Sequence, residues 1–167
     1  MKKTITEIVK GFSGKLPKFP DGRIDYSTSS SAPVIIIFVK VGEEFLLLRR
    51  SKKVSNYQGK WSASAGFLDD ERPVQEKVMD ELIAELGVAE ERLQRLITEI
   101  KICEYYEFKD EKAGKTWLKT PVLVELREKP EIRLDWEHDD YCWIRIEELS
   151  KYDTVVDLKH TLKCALN

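Results

Sequence analysis

The chain lacks long apolar segments and contains little cysteine. Its three cysteines, Cys103, Cys142 and Cys164, lie far apart and form no C-x-x-C pair. This spacing argues against a disulfide or a structural zinc site and predicts reduced thiols. No apolar run approaches the roughly 18 residues that a membrane span requires. We therefore expect a cytoplasmic protein that does not cross a membrane.

An excess of charge of one sign is also absent. The 167 residues include 28 lysines and arginines against 30 aspartates and glutamates, a formal net charge of −2. Neither nucleic acid nor an anionic membrane is therefore predicted as an obligate partner. Charged residues interrupt the apolar positions near the N-terminus, so no secretion signal is predicted there.

The hydrophobic content of 42% is sufficient for one domain with its own core. Residues 1–32 are predicted to form an N-terminal extension, with a short helix over 1–12 and a loop that contains one strand at 23–26. Residues 33–167 are predicted to form a single domain.

Hydrophobic patterning predicts the main elements of that domain. A continuous β-branched run is typical of a strand that is buried on both faces. A helix with an apolar stripe is predicted over 155–166, capped by Asp153 or Thr154. Strands are predicted at 34–39, 45–48, 96–108 and 116–126.

The most informative stretch, residues 66–88, contains a glycine turn, an acidic loop and a short helix. Pro73 suits the start of that helix, and Gly87 suits the left-handed residue that ends one. Glu81 and Glu85 lie four residues apart, so their carboxylates share one helix face. Such a pair repels unless a divalent cation lies between the two charges. Glutamates at this spacing are also common on solvated faces, and spacing alone leaves both interpretations open.

This stretch resembles the Nudix box, G-x5-E-x7-R-E-U-x-E-E-x-G-U, in which U is an aliphatic residue. The resemblance covers 23 of the 167 residues. It implies an α/β/α sandwich with a mixed central sheet, covered by the box helix on one face and the C-terminal helix on the other. The residues that carry it are Gly66, Glu81, Leu82, Glu85, Gly87 and Val88.

Three positions depart from the box. Arg72 stands where the family has its first glutamate, and Asp80 stands where it has arginine. These two could form the family's bracing ion pair with reversed polarity. There are two alternatives. One is that the exchange is a coincidence in a chain with 35% charged residues, and the other is a shifted register in which Glu71 takes the role of the first glutamate of the box. Ala84 replaces a third glutamate and removes one metal ligand or base.

The resemblance implies a site for Mg²⁺ or Mn²⁺. Glu81, Glu85 and the backbone carbonyl of Ala65 are the implied ligands, since these hard cations prefer oxygen donors.

An acidic loop at 137–140 is implied to reach the metal-bound water. Glu137 is the best positional candidate for the catalytic base, and Asp139 and Asp140 are the next candidates. His138 in the same loop could be a base, but a lone loop histidine is more often structural or solvated.

Two further groups have an open interpretation. Arg49 and Arg50 lie in a sequence that resembles the L-L-x-x-R that Nudix proteins often place here. They form either a solvated cap or a phosphate-binding cluster, since the planar fork of arginine matches phosphate oxygens. Trp117 belongs to a group of aromatic residues that suits either the core or a surface for base stacking.

Together these features predict a metal-dependent hydrolase. The expected substrate is a nucleoside diphosphate linked to another group, or a nucleoside triphosphate, cleaved at its diphosphate bond. A non-catalytic module that binds a nucleotide or a protein is the first alternative, supported by Ala84. An enzyme similar to isopentenyl diphosphate isomerases is the second, although Cys103 lacks their usual histidine context. A homodimer is compatible with each interpretation.

Overall fold

The computed structural model describes all residues from Met1 to Asn167. None of its helices has the length and apolar character needed to cross a bilayer. The elements are α1 Ile5–Ser13, β1 Ser31–Val41, β2 Glu44–Arg50, β3 Trp61–Ser62, β4 Ser64–Phe67, α2 Val74–Leu86, α3 Glu90–Leu96, β5 Ile97–Ile102, β6 Tyr106–Asp110, β7 Lys115–Leu126, β8 His138–Arg145, a 3-10 helix Ile146–Lys151 and α4 Leu158–Leu166.

Strand β1 organises the mixed sheet. One of its edges pairs in parallel with β7 from Ser31 to Val41. Its other edge is shared, because β4 pairs antiparallel with residues 34–37 and β2 pairs antiparallel with Lys40 and Val41. Two strands on one edge must diverge, and a cavity lies between them.

Helices cover both faces of the sheet. On one face α2 contributes Val78, Leu82 and Leu86 to the larger apolar cluster. On the opposite face α4 contributes Leu158 and Leu162 to a second cluster. The predicted α/β/α sandwich with a mixed central sheet is confirmed.

The N-terminal extension packs onto the larger cluster. Its predicted helix is observed as α1, which begins with a reciprocal capping box between Thr4 and Glu7. The predicted strand at 23–26 is wrong, since only an isolated bridge between Lys18 and Ile24 forms. Tyr26 is buried, and its hydroxyl donates to the carbonyl of Leu68 at 2.6 Å. The extension thus shares the core of residues 33–167, while a domain boundary at 32/33 stays a prediction.

The long strand predicted over 96–108 is broken into β5 and β6. Between them, residues 103–105 lie opposite only two residues of β7, 120 and 121, so the register shifts by one. The backbone N–H of Cys103 donates to the carbonyl of Pro121 at 2.9 Å. Proline has no N–H with which to return that bond, so the ladder is interrupted there.

The C-terminal helix begins later than predicted, at Leu158, and neither Asp153 nor Thr154 caps it. Its N-cap residue is Asp157, which has a left-handed backbone with φ +71°. The preceding residues remain extended because the N–H of Val155 donates to the carbonyl of Trp61 in β3 at 2.9 Å.

Helix α2 ends at Gly87, as predicted. Gly87 has φ +65°, and its N–H donates to the carbonyl of Ile83. A Cβ at this position would lie 2.5 Å from the carbonyl oxygen of Arg133. Glycine is therefore needed here for both its backbone conformation and its lack of a side chain.

We expect Gly87→Ala to destabilise the protein more than Gly114→Ala. Both glycines have similar positive φ values, +65° and +68°, but a Cβ at Gly114 would contact nothing within 4 Å. Both variants should lose about 1–2 kcal/mol through the left-handed backbone, and only Gly87→Ala adds the clash with Arg133. Chemical denaturation of the two variants measures the difference, and equal losses would contradict it.

Candidate active site

Small residues of β4 form the floor under the two glutamates of α2. A Cβ on Gly66 would lie 2.2 Å from Oε1 of Glu81, so the carboxylate rests directly over the glycine. Two residues earlier on the same face of the strand, the hydroxyl of Ser64 donates to the carboxylate of Glu85. Glu81 and Glu85 are four residues apart on one face of the helix, and Gly66 and Ser64 are two residues apart on one face of the strand. Each glutamate therefore lies opposite one of the two small residues.

The third predicted catalytic residue, Glu137, reaches the same place from the loop before β8. The N–H of Ser51, directly after β2, donates to the backbone carbonyl of Glu137 at 2.8 Å and fixes the loop. One oxygen each from Glu85 and Glu137 and one ring nitrogen of His138 all lie within 4.8 Å of one another. The structure therefore brings together the three carboxylates that the sequence singled out.

Burial and mutual repulsion keep these carboxyl groups from ionising readily. Burial raises the pKa of Glu81 to about 7, and the charge of Glu137 contributes to the increase. Burial also raises the pKa of Glu85 well above its usual range, and the charges of Glu81 and Glu137 add to this against the Ser64 hydrogen bond. A divalent cation would relieve this repulsion, and three carboxylates offer the oxygen donors that Mg²⁺ and Mn²⁺ prefer.

A cavity of about 600 Å³ lies where β2 and β4 diverge, within the usual size range of small-molecule sites. It presents carboxylates, two guanidinium groups, two lysines and several aromatic rings. Residues that line it include Arg50, Glu81, Glu137, Phe67, Trp117 and Trp136.

Alternation along β2 separates the two arginines that were predicted to bind phosphate. Arg50 lines the cavity, and its guanidinium donates to the backbone and side-chain oxygens of Asn56. Arg49 points to the other side, where its Nε lies 2.7 Å from Oδ1 of Asp139. The structure does not bring Arg49 to the cavity, because successive strand residues face opposite ways.

Two other predicted positions have different environments. Ala65 lines the cavity next to Gly66, and a ligand role for its carbonyl stays a prediction. Ala84 is exposed on α2 and offers no donor where the family pattern has a glutamate.

The predicted contact between Arg72 and Asp80 is present, with Nη2 and Oδ2 2.5 Å apart, and both side chains are about half exposed. A buried cation that the sequence reasoning missed lies beside it. Nζ of Lys77 is 2.6 Å from Asp69 and 3.2 Å from Asp70, and only 6% of this side chain is exposed. The spacing was the available signal, since Lys77 precedes Glu81 by one helical turn. Its position favours it as the stronger link between α2 and the acidic loop.

His138 is the second residue that was missed as a site residue. It is the first residue of β8, and its side chain is only 2% exposed. Nδ1 has no hydrogen-bond partner and lies 3.8 Å from Oδ1 of Asp135. Burial lowers the pKa of the ring, which favours its neutral form. The only sequence signal was its position directly after Glu137.

Solved structures share this arrangement of sheet and helices. A MutT NUDIX hydrolase from Burkholderia pseudomallei aligns over 80% of this chain and 97% of its own, with a TM-score of 0.63 and 18% identity. A bifunctional NMN adenylyltransferase/ADP ribose pyrophosphatase from Francisella tularensis, complexed with AMP and a manganese ion, covers 97% of this chain and 46% of its own, with a TM-score of 0.64 and 18% identity. The fold is that of the NUDIX hydrolases.

Sequence comparison leads to the same class. A nucleoside triphosphatase NudI from Salmonella arizonae is 26% identical over 125 residues, which cover 71% of this chain and 85% of that protein. The family model for the NUDIX domain matches residues 29–163. The chain belongs to the Nudix family and is a hydrolase of the Nudix type.

We expect Lys77→Met to lower the free energy of unfolding by about 3 kcal/mol, because it leaves the carboxylates of Asp69 and Asp70 without their buried partner. The matched change Arg72→Met removes the ion pairs of a half-exposed guanidinium with Asp80 and Asp70 and should cost about 1 kcal/mol. Urea denaturation of both variants measures the losses. Similar values would show that the buried cation is no stronger a brace than the exposed one.

Glu81 should make the metal-free protein less stable as the pH rises. Its folded pKa of about 7 lies above the ordinary 4.5, so its contribution to stability is present at low pH and is lost as the pH rises through 7. At about 1.4 kcal/mol per pH unit, the loss has an upper limit of about 3 kcal/mol. Denaturation of the natural protein with a chelator present should show a lower free energy of unfolding at pH 8 than at pH 5. This difference should be smaller in Glu81→Gln and unchanged in Glu131→Gln, the control at an exposed site. An equal fall in all three proteins would contradict this assignment.

Proposed function

We propose that this protein is a divalent-metal-dependent hydrolase that cleaves the diphosphate bond of a nucleoside triphosphate or of a nucleoside diphosphate linked to another group. The observation that carries the proposal is the convergence of Glu85 and Glu137, with Glu81 close enough for their charges to interact, beside a cavity of nucleotide size. Hydrolases of this family generally use divalent metal ions. The likeness to a nucleoside triphosphatase supports the triphosphate as the first substrate to test.

The carboxylates would hold the metal and prepare water for attack. Glu81 and Glu85 are the proposed metal ligands, together with the carbonyl of Ala65. A bound divalent cation would neutralise diphosphate charge and lower the pKa of a coordinated water. Glu137 would accept the proton of the attacking water, and attack in line at phosphorus would release two phosphate products.

Arg50 is the proposed binder of the non-reacting phosphate. Its two hydrogen bonds to Asn56 fix the guanidinium and leave other N–H donors available in the cavity. Burial lowers the pKa of Arg50, and the nearby charges of Glu137 and Glu85 oppose that effect. A dianionic phosphate would offer this group a further counter-charge.

The aromatic part of the cavity is the proposed location of the base. Nε1 of Trp117 donates to Asp110 at 3.1 Å, which fixes the orientation of its ring. The ring of Phe67 lies 6.0 Å from that of Trp117, between centroids. A planar base can stack on such held rings without reading a particular hydrogen-bond pattern.

A binding module without catalysis is the second candidate, favoured by the lack of a donor at Ala84. The isomerase interpretation loses its support, because Cys103 is not among the residues that line the cavity. Its Sγ lies instead 3.9 Å from the carbonyl of Ala165 on α4.

The deciding experiment measures phosphate or pyrophosphate release from a panel of nucleotides with Mg²⁺ or Mn²⁺. We expect Glu137→Gln to reduce turnover by about 10²–10⁴-fold, the usual cost of losing a positioned general base. The fold should change little. Glu131→Gln, the same chemical change at an exposed position, should retain full turnover.

A complementary variant, Ala84→Glu, restores the missing carboxylate and should raise the affinity for Mn²⁺. Absence of cleavage by both the natural chain and Ala84→Glu across the panel would overturn the hydrolase proposal. Nucleotide binding measured by calorimetry under those conditions would then support the binding module.

A further inference from the structure

We propose that His138 is a metal ligand, and that Glu85, Glu137 and His138 together form a mixed oxygen and nitrogen site that prefers a transition-metal dication such as Mn²⁺ or Zn²⁺ to Mg²⁺. The inference deepens the proposed function, because the metal concerned is the one that would serve hydrolysis. The box pattern alone supplies only oxygen donors.

The first argument is the geometry of the donors. One ring nitrogen of His138 and one carboxylate oxygen from each of Glu85 and Glu137 lie within 4.8 Å of one another. Donor atoms that share a first-row metal lie about 2.0–2.2 Å from it, so ligands on different sides of an ion are separated by less than about 4.5 Å. Small side-chain adjustments would bring this triplet to such separations.

The second argument is the lack of a hydrogen-bond partner for the ring. His138 is 98% buried as a side chain, and its Nδ1 makes no hydrogen bond. A buried polar atom without a partner is costly, and a ring that ligates a metal through Nε2 would satisfy Nδ1 by closing on Asp135. Burial also favours the neutral imidazole, which is the form that ligates metals.

Asp135 gives the ring an orientation that suits ligation. Its Oδ1 lies 3.8 Å from Nδ1 of His138, slightly beyond hydrogen-bond distance. A small closure would let Nδ1–H donate to this carboxylate and leave Nε2 as the donor to a metal. Histidines that bind metals usually make this second contact to a carboxylate or a carbonyl.

The backbone keeps His138 in place. It pairs with Arg50 across the β2–β8 ladder, next to an irregularity in register. The hydroxyl of Ser51 donates to the carbonyl of Trp136 at 2.7 Å, and its N–H donates to the carbonyl of Glu137. The residues on both sides of the glutamate are therefore fixed to the end of β2.

An imidazole ligand has a predictable effect on metal choice. Mg²⁺ strongly prefers oxygen donors. Zn²⁺ and Mn²⁺ both accept an imidazole ligand, and imidazole suits Zn²⁺ better.

The test uses the two histidines of the chain. In the variant His160→Gln, which alters an exposed residue of α4, His138 is the only histidine that remains. Pulsed electron paramagnetic resonance of this variant loaded with Mn²⁺ should show coupling to an imidazole nitrogen. The further change His138→Gln should abolish that coupling.

Metal titrations provide the second measurement. His138→Gln should weaken the binding of Mn²⁺ and Zn²⁺ by about 10–100-fold or more. Loss of an outer-shell partner already costs about that much, and a direct ligand should contribute at least as much. Mg²⁺ affinity should change by less than about 3-fold, since Mg²⁺ favours the carboxylates. Circular dichroism should show that the variant remains folded.

The outcomes separate this inference from the proposed hydrolase. Cleavage with Mn²⁺ but no nitrogen coupling in the His160→Gln protein would overturn the histidine ligand and leave the hydrolase intact. Nitrogen coupling without cleavage of any nucleotide would support the ligand and count against the hydrolase. Failure to bind Mn²⁺ at all would overturn both.

Discussion

Repulsion among buried carboxylates is the constraint on which the site depends. Glu81 and Glu85 lie side by side on α2, and Glu137 approaches them from a different part of the chain. Placing these acids together without a cation costs stability, and the raised pKa values express that cost. The small residues of β4 permit the arrangement, because a Cβ on Gly66 would overlap the carboxylate of Glu81. The charges of these acids repel one another in the metal-free protein. A divalent ion bound among them would replace that repulsion with attraction.

Cationic side chains near the acids compensate only in part. Lys77 is held by Asp69 and Asp70, so most of its charge is already engaged when it acts on Glu81. Arg50 offers a positive charge from the cavity side, but burial lowers its pKa and so weakens the preference for its charged form. Neither group lies inside the carboxylate cluster as an ion would. The remaining negative potential favours binding of a divalent cation.

The sequence predicted those features that depend on local pattern. The β-branched run gave β1, and Gly87 marked the end of α2 because few other residues adopt its backbone conformation. Features that depend on burial could not be predicted in this way. A lysine one turn from a glutamate reads as a solvated pair, and only the folded structure shows that Lys77 is buried. The burial of His138 could not be predicted for the same reason. The break in the strand at 103–105 reflects Pro121 of the strand that pairs with it.

The departures from the family pattern have a common physical interpretation. The exchanged charges of Arg72 and Asp80 retain an ion pair, but its exposure limits what it can contribute. The buried Lys77 then carries more of the link between α2 and the loop before it. At Ala84 a carboxylate is absent, while one ring nitrogen of the buried His138 lies within 4.8 Å of carboxylate oxygens of Glu85 and Glu137. The site can therefore depart from the motif at Arg72 and Asp80 and still keep a brace, because the buried Lys77, which the motif does not name, links α2 to the acidic loop.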